Sequence, residues 1–148
     1  MQIKEPSTGN PTKAFRILVL ANEFSEDITQ ECLRQGFEVV AVSNHNEGLA
    51  FLQSHDHVDA AITPAFAEGS NMFEFLMGLY RMPENIHVPV MVISVEPTEL
   101  ASFCTPAVEA AAKLLGAYKF ITLPEFDSRQ VMRELKALLP ERPSKLEA

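Results

Sequence analysis

The sequence predicts a doubly wound α/β domain, a five-stranded parallel sheet with helices on both faces. Three observations lead there. Five short apolar runs rich in Val and Ile alternate with segments of helical period. The runs are nearly continuous, as in strands covered on both faces, and do not alternate apolar with polar. The 148 residues suit one domain with a sizeable core, with 47% hydrophobic and 22% charged residues, ordinary globular usage.

The predicted strands cover 16–21, 37–42, 58–63, 88–93 and 118–122, and each strand-to-strand connection should cross over right-handedly. The first helix is expected to be capped by Ser25. It carries Glu26 and Asp27 in its positive first turn, and Gly36 suits the left-handed position that ends it. A second helix should run over 46–54, burying Leu49, Phe51 and Leu52. A third, over 70–81, would present Met72, Phe75, Leu76, Leu79 and Tyr80 as a core face at spacings of three and four. Pro106 interrupts the fourth apolar pattern. Because proline fits best at a first helical position, a helix over 106–115 capped by Thr105 is predicted, with 97–104 as a loop. The last helix starts at Asp127 or Ser128, buries Val131, Leu135, Leu138 and Leu139, and ends at Pro140. The organisation expected is a flexible N-terminal tail over 1–13, the domain over 14–140 and a C-terminal tail over 141–148.

Several function classes are disfavoured. Twelve Lys and Arg against twenty Asp and Glu give a net charge of −8, so the phosphate attraction that dominates nucleic-acid affinity would be repulsive. No apolar run approaches the roughly 20 residues needed to cross a bilayer, and the polar start does not resemble a secretory signal, so a cytoplasmic location is expected. Cys32 and Cys104 have no metal-ligand spacing and read as inert buried thiols. His55 and His57 alternate at the end of the sheet opposite the usual binding side, which suits a solvated loop better than a metal centre. The first turn has no glycine, so no nucleotide or flavin cofactor is expected.

In such a sheet, ligands bind beyond the carboxyl ends of the strands. The turns there read Asn22-Glu23-Phe24-Ser25, Pro64-Ala65-Phe66, Ser94-Val95-Glu96 and Leu123-Pro124-Glu125. This pattern resembles the receiver domain of bacterial response regulators, over residues 14–139, and the resemblance implies the flavodoxin-like strand order 2-1-3-4-5. Asn22-Glu23 corresponds to the family's acidic pair, Ser94 to its hydroxyl residue, Phe120 to its aromatic switch, and Gly116-Ala117 and Pro124 to flanking positions. Pro64, however, stands where the phosphoacceptor Asp belongs and Leu123 where the Lys belongs. Phosphoryl transfer needs a nucleophile and cationic stabilisation, and neither residue supplies one. Glu23 with a neutral amide is also a poor nucleus for Mg²⁺. The resemblance therefore implies a non-enzymatic pseudo-receiver acting through protein partners: a histidine kinase, an output domain or a second copy. Its partner face would include Phe103, Tyr118 and Phe120. The alternative is a small-ligand or enzymatic site around Asn22, Glu23, Ser94 and Glu96. Glu68 is a displaced acid that could accept a phosphoryl group.

Overall fold

The computed structural model describes residues 1–5, 15–54, 56–83, 87–95 and 99–140. Its strands are β1 (Gln2–Lys4), β2 (Arg16–Leu20), β3 (Glu38–Val42), β4 (Ala60–Pro64), β5 (Val90–Val95) and β6 (Lys119–Leu123). The helices are α1 (Ser25–Arg34), α2 (His45–Gln53), α3 (Met72–Tyr80), α4 (Glu99–Leu114) and α5 (Ser128–Leu138). The sheet order is β1-β3-β2-β4-β5-β6. Its five parallel strands keep the expected order. The sixth, β1, is an addition: it lies antiparallel on β3, pairing Gln2 with Ala41 and Lys4 with Val39, within the stretch expected to be a tail.

Period-two alternation divides the buried residues into two cores. Ile17, Val19, Ile62, Met91, Ile93, Ile121 and Leu123 pack under α1 and α5. Leu18, Leu20, Val40, Val92 and Phe120 pack with Phe51, Phe75, Leu76 and Ala112 on the other face. Both sets are apolar, so the strand runs look continuous in the sequence. Each such side chain contributes roughly 1.5–3 kcal/mol by leaving water.

Chain punctuation follows backbone chemistry. Gly36 and Gly116 both have positive φ, +87° and +102°. The amides that follow them, Phe37 and Ala117, donate back to the carbonyls of Cys32 and Ala112, which closes α1 and α4 with left-handed C-terminal turns. Asn44, Asn71 and Asp127 cap α2, α3 and α5 by accepting from backbone amides of the first turn.

Three sequence expectations are corrected here. Phe24, not Ser25, precedes α1, and the Ser25 hydroxyl instead accepts from the Asn22 amide at 2.7 Å. Tyr80 does not complete the α3 core face but is exposed. Finally, α4 starts at Glu99 and carries Pro106 inside it. The missing proline N–H would have served the carbonyl of Ser102, whose residue is exposed, so water can take that place; burial of Thr105 and Ala112 holds the helix on the sheet. Among the described residues no helix is long and apolar enough to cross a membrane.

Candidate functional site

Three turns at the carboxyl end of the sheet enclose a cleft of ≈ 570 Å³ lined by Asn22, Glu23, Phe24, Pro64, Phe66, Glu68, Ile93 and Ser94. The structure thus brings together Asn22, Glu23, Pro64 and Ser94. Glu96 lies outside the described residues, as does His55.

Asn22 is consumed by its own turn. Its Oδ1 accepts from the Phe24 amide at 2.8 Å and its Nδ2 donates to the Leu20 carbonyl at 2.9 Å. The side chain therefore shapes the loop and does not project a free polar group into the cleft. Glu23, beside it, is exposed.

Pro64 ends β4, a central strand, where proline is normally excluded. The ladder explains its presence. Ala61 and Ala65 both donate toward the β5 side, to the carbonyls of Pro89 and Ile93. The alternate position 64 therefore faces β2, whose pairing with β4 already stops at Ile62. No hydrogen bond of that ladder is lost. The residue is buried and carries no group able to accept a phosphoryl group.

Leu123 is 1% exposed and sits in the core under α1 and α5. Next to it, Phe24 and Phe126 stack with centroids 4.3 Å apart and planes 2° from parallel. This pair joins the turn after β2 to the turn after β6. On the side where the receiver pattern calls for a cation, the site is closed by leucine and two aromatic rings. Phe24 and Phe126 were not singled out from sequence. Both turns are legible there, but nothing in the chain pairs residues 102 positions apart.

Ser94 is 2% exposed, and its Oγ has no hydrogen-bond partner among the described residues. Thr63, on the adjacent strand, donates its hydroxyl to the Pro64 carbonyl at 3.2 Å. A buried hydroxyl without a partner is uncommon and marks Ser94 as a buried polar group of the cleft still able to make one.

The other residues scatter. Phe103 and Tyr118 are 84% and 65% exposed, but Phe120, expected beside them on a partner face, is buried with Ala112. The reason is that Val108 and Ala112 of α4 pack on that face of β6. Phe103 lies within α4, whereas Tyr118 lies beyond its C-terminal end, just before β6. Cys32 is buried, and desolvation, with a smaller contribution from Glu31, pushes its thiol up to about 12. Cys104, expected to be buried, is exposed. His57 pairs with Asp59 at 2.8 Å in the exposed turn before β4. Among the described residues no three His, Cys, Asp or Glu side chains are grouped so as to hold a metal ion.

The architecture has counterparts among solved structures. The chemotaxis response regulator CheY4 of Vibrio cholerae matches with a TM-score of 0.68 and 19% identity, over 86% of this chain and 100% of that one. The signal receiver domain of a signal transduction histidine kinase from Syntrophus aciditrophicus gives 0.69 and 20%, over 89% and 96%. The receiver domain of NtrX from Brucella abortus gives 0.67 and 19%, over 83% and 97%. At these identities the likeness is one of fold: the chain has the flavodoxin-like α/β fold that receiver domains share. No family model matches the sequence, and no curated protein matches it.

Proposed function

We propose that this chain is a receiver-like signalling module that works without phosphorylation, through contacts with protein partners. The observation that carries the reading is the chemistry at two positions at the carboxyl end of the sheet. Pro64 and Leu123 stand at the nucleophile and cation positions of the receiver pattern, both are buried, and the Phe24–Phe126 stack closes the same end with apolar surface. Placement of a nucleophile and electrostatic stabilisation are what phosphoryl transfer asks of a protein. Partners of the expected kind are a histidine kinase, an output domain or another copy of the chain.

The test is an amide-resolved NMR titration with Mg²⁺ followed by beryllofluoride, a phosphoryl mimic. Amides near Glu23, Ser94 and Phe120 are expected to stay in place. Saturable shifts at low concentration would overturn the reading, and phosphorylation at another acid such as Glu68 would then be sought by mass spectrometry.

A second reading, a small-ligand site in the same cleft, is favoured by one observation, the unpartnered Ser94 hydroxyl. A thermal-shift screen of metabolites separates the two, since a ligand bound to the folded state raises Tm by mass action. A flat screen is expected under the first reading.

A further inference from the structure

We infer that the cleft at the carboxyl end of the sheet receives an arginine side chain from a protein partner. The inference rests on the protein-contact reading above and places one contact in the cleft, away from Phe103 and Tyr118.

The first observation is unbalanced charge. Glu23 and Glu68 both line the cleft and both are exposed. Among the described residues that line it there is no Lys, Arg or His, so no cation of the cleft offsets the two carboxylates. Asn22, the remaining polar group of the first turn, is held by the Leu20 carbonyl and the Phe24 amide. The chain as a whole carries a net charge of −8, which steers a basic group toward this surface.

The second observation is independent of charge. Ser94 lines the same cleft at 2% exposure, and its Oγ has no hydrogen-bond partner among the described residues. A buried hydroxyl of this kind lacks a group that water cannot easily supply. The cleft thus has a buried hydroxyl behind a rim of two exposed acids.

The walls choose among cations. Phe66 is 54% exposed at the cleft, and Ile93 and Val95 add apolar surface. A hydrated metal ion gains nothing from such walls, and two carboxylates are too few to replace its water. A guanidinium suits them: it is planar, weakly hydrated, stacks on aromatic faces and has five N–H donors for carboxylates and a hydroxyl together. An ammonium is a compact, strongly hydrated point charge that uses the ring less well. The volume of ≈ 570 Å³ falls inside the range of roughly 300–1,000 Å³ usual for ligand pockets. Depth favours a side chain on a protein over a free molecule. A long arm reaches the buried hydroxyl while the partner's surface covers the exposed Phe66 and carboxylates, as the rim of an interface surrounds its anchor.

An amide-resolved NMR titration of the full chain at low salt tests this, with the acetylated, amidated peptide Gly-Gly-Arg-Gly-Gly as probe. Saturable shifts are expected at amides of residues 22–24, 66–68 and 94–95, with a midpoint of about 1 mM for a single anchored side chain. The peptide with citrulline, the neutral isostere, is expected to bind at least about tenfold more weakly. The lysine peptide should also bind more weakly than the arginine one. Glu23→Gln and Glu68→Gln, exposed changes that leave the thermal melt in place, should each weaken the arginine peptide by about two- to fivefold. Ser94→Ala should weaken it without lowering the melt. Absence of saturable shifts at these amides overturns the inference, as does equal binding of the citrulline or lysine peptide. Free methylguanidine that binds as tightly as the peptide also overturns it, in favour of a small-molecule site. If the arginine peptide and beryllofluoride both leave the amides in place, the cleft contact fails while the phosphorylation-independent reading stands. Beryllofluoride shifts would overturn that reading and, with it, the inference.

Discussion

Replacing Ser94 by Ala should make the protein more stable. The hydroxyl is buried at the end of β5 without a described partner, and a buried hydroxyl left unpaired costs about 1–3 kcal/mol of lost hydration. Alanine keeps the Cβ and removes only the oxygen, so the space left is smaller than a methyl group and its cost is a fraction of the gain. A net stabilisation of about 1 kcal/mol follows, equivalent to ~2–4 °C in Tm for a chain of this size. In urea, with a slope of about 1–3 kcal/mol/M, the midpoint should rise by roughly 0.3–1 M with unchanged slope. Thr63→Val is the internal comparison. Its hydroxyl donates to the Pro64 carbonyl, so the loss should lower stability by about 0.5–1.5 kcal/mol. If Ser94→Ala lowers the midpoint, the hydroxyl has a partner in solution and the account of the cleft as holding an unsatisfied group is wrong.

Leu123→Lys should destabilise by at least ~3 kcal/mol in urea, because it removes a buried leucine and places an ammonium among apolar groups. A loss under about 1 kcal/mol would mean that the new side chain escapes into the cleft. For Cys32, the thiol pushed up to about 12 predicts labelling of native protein by a thiol reagent at Cys104 alone. It also predicts that stability, fully present below the ordinary thiol value of 9.0, declines between there and about 12 by roughly 1.4 kcal/mol per pH unit, since only the unfolded thiol ionises in that range. Alkaline denaturation of Cys32→Ala should lack this component. His45→Ala should cost ~1–3 kcal/mol: His45 Nδ1 accepts from the Asn71 amide at 3.0 Å, its Nε2 lies 2.9 Å from Glu74, and the change strands that amide at the start of α3. Equal urea midpoints would show that water replaces the ring.

The parallel core was legible because both faces of each strand are buried, so hydrophobic runs report the strands directly. Gly36 and Asp127 were legible because a left-handed turn and an N-terminal cap each restrict residue type. The extent of α4 was not, since the rule for proline weighs a lost hydrogen bond and cannot see the sheet that holds the helix on both sides of Pro106. The burial of Phe120 was hidden for another reason: it packs with Val108 and Ala112, inside the stretch expected to be helical, and no local pattern tells which strand that helix covers. Pro64 and Leu123 were identified by counting along the chain. What closes the end beside Leu123, the contact of Phe24 with Phe126, depends on two distant turns meeting, and no local pattern encodes that.

The first strand changes what counts as the smallest workable piece of this protein. A chain trimmed to start at residue 14 would look complete by its five parallel strands. It would, however, uncover the backbone edge of β3, whose sequence is Glu-Val-Val-Ala-Val. Such a short, apolar, unpaired edge is a template for indiscriminate strand addition. Shortened material should precipitate or form ladders of oligomers, and association measured on it would report the cut and not the molecule.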